Sequence, residues 1–346
     1  MTTTQDFENT ELIDQEPISI IIPLNLANTR LDSALAQIIP EFSRNRLTNW
    51  IKNGFVLVGG NIAKPKDKVF GGEQITIYAQ PSEDTKAYTP EDIALNVIYE
   101  DTHLLIVNKP AGLTVHPGAG IYNGTLLNGL LFHYPELVNI PRAGIVHRLD
   151  KDTSGLMVVA KTLLAQTNLV AQLQSRKVSR IYRAIVEGHP HKNGIINKNI
   201  GRDPHNRIKM AALEIGGKEA ITNYRVLEYF DDFSYIECKL ETGRTHQIRV
   251  HLKSIGHPVV GDPVYNRKKT NYPSPIVAAL SNIHRQCLHA LKLSFIHPES
   301  NQLVEFKAPL AYDMQELLQT LITNKPGHEF AEDYLEEDFT EVLYVK

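Results

Sequence analysis

The strongest constraint on this chain is a charged loop with apolar walls. Gly144-Ile-Val146 leads into His147-Arg148-Leu149-Asp150-Lys151-Asp152-Thr153-Ser154-Gly155, and Leu156-Met-Val-Val-Ala160 follows. Two strand-like runs hold the loop between them, and scaffolds place reactive groups on such loops. A solvated turn accounts for Asp152 to Gly155. It accounts poorly for a His, an Arg and two Asp crowded between strands.

Two further stretches have the same density of polar groups. Glu241-Thr242-Gly243-Arg244-Thr245-His246-Gln247-Ile248-Arg249-Val250-His251-Leu252 predicts a helix over 246–255, capped by Thr245 and stopped by Gly256. His246, Arg249 and Val250 fall on one side of it. The helix dipole disfavours cations near this end, so Arg249 asks for a defined carboxylate partner. The alternative is a surface ion pair worth ~0–1 kcal/mol. Lys177 to Gly188 reads as a strand, with Tyr182, Ala184 and Val186 on one face and Ile181, Arg183 and Ile185 on the other. A tyrosine on a buried face can be plain core.

The rest of the chain divides by pattern. Residues 1–16 read as a disordered acidic leader. Residues 17–79 have the marks of a small module. A strand lies near Ser19–Pro23, and Leu31, Leu35 and Ile38 are apolar at helical spacing. A second helix is framed by Ser43 and Gly54, and Val56 to Ile62 makes a hairpin around Gly59-Gly60. Residues 80–93 read as a polar linker. From 94 to 325, strands are expected at 104–108, 156–160, 181–187, 220–229, 233–240 and 290–297. Helices are expected at 125–132, 163–175, 246–255 and 311–322. Consecutive strands favour antiparallel pairing, so the class is α+β with a mixed, largely antiparallel sheet. Residues 326–346 read as an acidic tail.

Charge points towards a polyanion. Residues 1–16 hold five acids and no Lys or Arg, and 326–346 hold seven acids and one Lys. Without these segments, the net charge of −3 becomes a body of +8. Arg44, Arg46, Lys52, Arg176, Lys177, Arg180, Arg202, Arg207 and Lys209 are the candidate contacts to such a partner. No apolar run approaches the ~20 residues of a membrane span, and no secretory signal is expected. The two cysteines, Cys238 and Cys287, form no Cys-x-x-Cys pair, which fits a reducing cytoplasm and argues against a thiolate zinc site. No cofactor and no metal are expected.

Together, 144–161, 177–188 and 241–252 resemble three motifs of the ribosomal large-subunit pseudouridine synthases. Val97 to Asp101, Asn108 to Gly112, Val115 to Gly118, Gly261-Asp262-Pro263 and Leu288-His289-Ala290 are similar too. Residues 17–78 resemble the RNA-binding domain of the ribosomal protein S4 type. The hairpin departs from the usual Val-Asn-Gly in reading Val58-Gly59-Gly60-Asn61, but Gly-Gly makes the same turn. The resemblance covers roughly 17–320. Within the family, 30–77 and 144–188 are most similar to the branch that acts on 23S ribosomal RNA.

The resemblance implies an isomerase that turns uridine into pseudouridine in RNA, within 23S rRNA or pre-50S particles, as a monomer and away from membranes. It implies Asp150 as the essential carboxylate, Arg249 as its pairing arginine and Tyr182 as the tyrosine that packs on the base. His147 and Arg148 are candidates for holding the flipped nucleotide or its phosphates. Asp150 can act as a nucleophile or as a base, and the sequence leaves both open. A phosphohydrolase reading of Asp150-Lys-Asp152-Thr153 fails because His147 and Arg148 interrupt the apolar strand that signature needs. Gly118-Ala-Gly120 lacks the spacing of a dinucleotide loop. The stem-loop at the subunit interface is the expected target, and the alternatives are the same chemistry on other large-subunit rRNA or tRNA uridines, or a non-catalytic RNA-binding or assembly protein.

Overall fold

A computed structural model describes residues 17–39, 42, 44–78, 89–118, 121–206, 209–266, 272, 274–325 and 344–345. The chain forms two compact units, residues 1–86 and 87–346. Among the expected features, the acidic leader, Ser43 and residues 80–88 of the linker lie outside the described residues.

The first unit is a four-stranded antiparallel sheet with two helices. Its strands are β1 (Ile18–Ile21), β2 (Val56–Val58), β3 (Asn61–Ile62) and β4 (Gln74–Ile77), in the order β1-β4-β2-β3. Gly59 and Gly60, at φ 54° and 82°, make the two-residue turn between β2 and β3. Helix α1 (Leu31–Ile38) and helix α2 (Arg44–Lys52) bury Leu31, Leu35, Leu47, Trp50 and Ile51 against Val56, Ile75 and Ile77. Gly54 ends α2 with φ 78°.

The second unit is built on one large sheet. Its strands are β5 (Val97–Glu100), β6 (Leu104–Lys109), β7 (Ser154–Ala160), β8 (Ser179–Glu187), β9 (Asn193–Asn197), β12 (Ile221–Tyr229), β13 (Phe233–Leu240), β14 (Leu288–Ile296), β15 (Leu303–Lys307) and β16 (Tyr344–Val345). A separate hairpin pairs β10 (Asn199–Arg202) with β11 (Met210–Leu213). The path runs β5-β6-β7-β14-β8-β13-β12-β9, with β15 branching from β14 and β16 pairing β15. Every pair is antiparallel except β7–β14. The α+β class and the mixed sheet are therefore as the sequence predicts. β16 falls inside the stretch expected as an acidic tail, and the rest of that stretch lies outside the described residues.

Helices cover both faces of this sheet. Leu156 and Val158 of β7 pack with Ala165 and Leu169 of α4 (Leu163–Gln174). Met157 and Val159 face the other way, into the cluster of Leu126, Leu127 and Leu130 from α3 (Leu126–His133), Ile248 and Leu252 from α5 (Gln247–Ser254), and Leu317 and Leu321 from α7 (Tyr312–Thr323). A strand buried on both faces reads as a near-continuous apolar run, as β7 does from Leu156 to Ala160. One short helix, α6 (Ser274–Ser281), has no counterpart in the sequence reading. Thr125 and Asn128 form a capping box at the start of α3. The expected linker ends earlier than residue 93, because the Thr89 carbonyl accepts the Asn128 side-chain amide and Glu91 N–H donates to the Asn128 carbonyl.

The centre of the sheet places the site. Gly155 of β7, Ala290 of β14 and Tyr182 of β8 lie in one row across it. A side chain at Gly155 would put Cβ 2.3 Å from the Ala290 carbonyl oxygen, and φ there is 112°. Only glycine fits both demands. This close crossing carries the 147–154 loop towards the face where Tyr182 stands.

Candidate active site

The loop before β7 is pinned from behind. Lys109 is buried, and its ammonium donates to the carbonyls of Pro110, Leu113 and Lys151 at 2.7, 2.9 and 2.9 Å. Burial lowers its pKa to about 7, against the pull of Asp152 and Asp150. Arg285 Nη1 donates to the Asp152 carbonyl, while its Nε and Nη2 grip Asp313. Thr153 N–H closes the turn onto the Asp150 carbonyl. Three successive carbonyls, of residues 150 to 152, are therefore held.

His147 belongs to this support. Its Nε2 accepts the backbone N–H of Val158 at 3.1 Å, so the ring is neutral with its proton on Nδ1. Burial lowers its pKa to about 3, with Arg180 adding to the effect. Upstream, Arg142, Ala143 and Gly144 all take positive φ, at 56°, 49° and 77°. Three left-handed residues in a row, two of them not glycine, are backbone strain at the rim of a cavity.

Asp150 projects into a cavity of about 570 Å³ with Tyr182, Arg249, Arg148, Arg180 and His246 on its walls. Arg249 Nη1 donates to Asp150 at 2.9 Å. Its Nε and Nη2 make a parallel pair with Asp262, at 2.7 and 2.9 Å. Thus the carboxylate partner that Arg249 asked for is double. Asp262 also accepts the N–H groups of Val264 and Tyr265, and Arg249 and these amides hold its pKa down although burial raises it. Burial opposes the charge on Arg249, but the two carboxylates raise its pKa overall.

The other end of α5 differs from expectation. Thr245 does not cap it. His246 occupies the N-cap in the left-handed conformation, φ 56°, with no side-chain cap bond. The Gln247 side chain instead ties down the segment before the helix, accepting Arg244 N–H and the Thr242 hydroxyl through Oε1. Gly256 stops the helix at φ 87°, as predicted. The left-handed turn swings His246 so that Nε2 lies 4.0 Å from Asp150 while Nδ1 meets the Tyr265 hydroxyl at 2.9 Å. That hydroxyl also accepts the Met210 N–H. Burial lowers the His246 pKa, with Asp150 pulling the other way.

Tyr182 is 6% exposed and packs in the largest core cluster beneath the cavity. Burial raises its pKa, Arg180 opposes this, and Asp150 adds to it. The phenol is therefore protonated at neutral pH.

The expected RNA contacts divide. Arg148 is exposed at the cavity mouth. Arg176 also lines it, but pairs with Glu219 at 2.6 Å. Lys209 donates to the Val264 carbonyl. Arg180 is buried at the cavity wall. Lys177 is exposed outside the cavity. In the first unit, Lys52 is exposed, and Arg44 shares the buried Asp32 carboxylate with Arg30. The Arg46 side chain and Arg207 lie outside the described residues. Sequence reasoning gave no role to Asp262, His246, Tyr265 or His116. The Gly261-Asp262-Pro263 motif was the available signal for Asp262. The folding together of residues 246 and 265 left none for the histidine–tyrosine pair.

Among the described residues, no helix is long and apolar enough to cross a membrane.

Comparison with known proteins agrees with this architecture. Residues 103–254 match the family model described as RNA pseudouridylate synthase, and residues 29–75 match the S4 domain. The chain is 51% identical over 346 residues to the ribosomal large subunit pseudouridine synthase D of Neisseria meningitidis serogroup B, covering 95% of this chain and 92% of that protein. It is 46% identical over 315 residues to the protein of the same name from Escherichia coli K12, covering 90% and 96%. A solved structure, human RNA pseudouridylate synthase domain containing 4, aligns with a TM-score of 0.53 at 23% identity, over 66% of this chain and 93% of that one, and so shares the fold. With half its residues shared along nearly the whole length of such relatives, the chain belongs to the RNA pseudouridine synthases, isomerases of RNA uridine, and carries an S4 domain in front of its catalytic unit.

Proposed function

We propose that this enzyme isomerises specific uridines of 23S ribosomal RNA in the cytoplasm, acting as a monomer on free rRNA or pre-50S particles, with Asp150 as the catalytic carboxylate. The observation that carries the reading is the Asp150–Arg249–Asp262 chain beside Tyr182 in a cavity of nucleotide size. The substrate class follows the printed names of the relatives.

The reaction breaks C1′–N1, turns the base, and joins C5 to C1′. The target uridine first leaves its stack, at a cost of a few kcal/mol that a loop nucleotide partly avoids. Arg249 donates to one oxygen of Asp150 and so aims the carboxylate. Its second oxygen, near His246 Nε2, is left to meet the sugar. From there it attacks C1′ or takes the C2′ proton. Tyr182 supplies a flat wall for the uracil, and its protonated hydroxyl serves better as a donor than as a base. Arg148 at the mouth, with Arg44, Arg46, Lys52, Arg176, Arg180, Arg207 and Lys209, is assigned to the RNA strand. The S4 domain, taken as residues 17–79, adds a second grip on the same RNA.

The test is a carbodiimide primer-extension map of rRNA from cells lacking the gene, rescued by wild type or by Asp150→Asn. A few large-subunit sites vanish and return only with wild type. An unchanged map, or rescue by the mutant, sinks the proposal.

A further inference from the structure

Arg180 is grouped above with the RNA contacts, but its burial in the cavity wall sets it apart from the exposed Arg148 and Lys52. It is 8% exposed. Its Nε is sealed from solvent with no hydrogen-bond partner, and no carboxylate among the described residues pairs with its guanidinium. A desolvated arginine without an anion is costly, by several kcal/mol. Folding alone gives no reason to keep it.

Its seat is also specific. Arg180 and Tyr182 are two residues apart on β8, so their side chains leave the same face of the sheet. Both line the cavity that holds Asp150. The guanidinium lies on Gly243, where a Cβ would come within 2.7 Å of Nη1. Asp150 itself is committed to Arg249. The cavity thus holds a second fixed positive charge, beside the tyrosine and unclaimed by protein.

We propose that Arg180 is a catalytic residue that stabilises the uracil anion released when C1′–N1 breaks, by donating hydrogen bonds to uracil O2 or O4. This rests on the reading of the cavity as the uridine site. In that step the bonding pair leaves with the base and spreads from N1 onto O2 and O4. C1′ is taken over by an Asp150 oxygen, or becomes an alkene carbon as C2′ gives its proton to Asp150. The base then turns and C5 bonds to C1′ as the Asp150 oxygen leaves it, or as Asp150 returns its proton to C2′ of the alkene; the C5 proton is lost and N1 gains one. A charge that exists only between the two bonds is best met by donors already fixed in a dry site. Such a donor can be worth about a hundredfold or more in rate.

The experiment uses the full chain and an rRNA transcript carrying uridine or 5-fluorouridine at the modified position. Fluorine stabilises the uracil anion itself, so it substitutes for the guanidinium; consumption of the nucleoside is the readout. Arg180→Met is expected to slow single-turnover conversion of uridine at least a hundredfold, and of 5-fluorouridine less than tenfold. The RNA Kd stays within threefold and Tm does not fall. Arg180→Lys recovers part of the rate. Gly243→Ala, which keeps the charge but displaces it, slows uridine conversion as well. An unchanged saturating rate with weaker binding and a smaller salt slope makes Arg180 a phosphate contact and overturns the inference. So does a lowered Tm with equal losses on both nucleosides, which marks a structural role. If wild type converts nothing, the function reading itself fails, and the inference with it.

Discussion

Asp262 grips Arg249 by two parallel hydrogen bonds and so points the third nitrogen, Nη1, at Asp150 2.9 Å away. The Asp262 side chain is fully buried and that of Arg249 is 5% exposed. Direction at the Asp150 carboxylate is therefore set one residue back, from Asp262 in the turn before α6.

Asp262→Asn removes the charge that balances a buried guanidinium. Breaking one partner of such a pair costs about 3–5 kcal/mol. Urea denaturation is expected to show a loss of that order. Single-turnover rate at saturating RNA falls at least tenfold, while RNA affinity is unchanged. A variant with wild-type rate would show that Arg249 needs no second carboxylate.

Asp150→Asn is expected to act in the opposite proportion. Arg249 keeps Asp262, and the Asp150 side chain is 18% exposed, so stability shifts by no more than about 1 kcal/mol. Tritium release from 5-tritiated uridine in the transcript falls below detection. Loss of folding rather than of turnover would refute this division of labour.

Acid should destabilise the catalytic unit earlier than its carboxylates require. His147 and His289 have pKa values lowered by burial to about 3. The unfolded chain binds protons on them near pH 6.5, the folded chain does not. Their contribution is therefore complete above pH 6.5 and is lost as pH falls towards 3. Each histidine gives a slope of about 1.4 kcal/mol per pH unit in that window. Urea titrations at pH 7 and pH 5.5 measure it, and His147→Gln should flatten the slope by one histidine. Equal stability at both pH values would contradict the neutral ring seen accepting Val158 N–H.

Gly155→Ala should disrupt the sheet row itself. The new Cβ would strike the Ala290 carbonyl at 2.3 Å, from a φ that alanine avoids. Backbone cannot yield cheaply between three paired strands. A cost above about 3 kcal/mol is expected, seen as insoluble protein or a collapsed melting midpoint. Gly112→Ala, with nothing within 4 Å of its Cβ but a φ of 86°, separates the collision from the dihedral and should cost about 1–2 kcal/mol.

Much of this was legible in the chain. The strands 104–109, 154–160, 179–187, 221–229 and 233–240 announce themselves because two-sided burial demands unbroken apolar or alternating runs. Asp150 stands out as one acid in a crowded loop, but Tyr182 by its own pattern reads as core, and the roles of Asp150, Tyr182 and Arg249 were legible only through the resemblance of 144–161, 177–188 and 241–252 to family motifs. What stayed hidden depends on distance along the chain. Asp262 looks like one acid in a turn until α5 brings Arg249 over it. Thr245 looks like the better cap, yet the left-handed His246 displaces it, since the backbone must bend to bring Nε2 near Asp150. Arg180 looks like any strand-edge cation, and only the fold shows its Nε buried with no hydrogen-bond partner among the described residues.

The grip of Lys109 and Arg285 on the carbonyls of residues 151 and 152 has a consequence for choice of target. A carboxylate on so stiff a mount does not travel towards its nucleotide. All of the accommodation falls on the RNA, which must bend, unstack and rotate until a ribose meets a stationary oxygen. Selection then works through pliability as much as through base identity. Among uridines with the same neighbours, those in already loosened strands are then expected to be modified first.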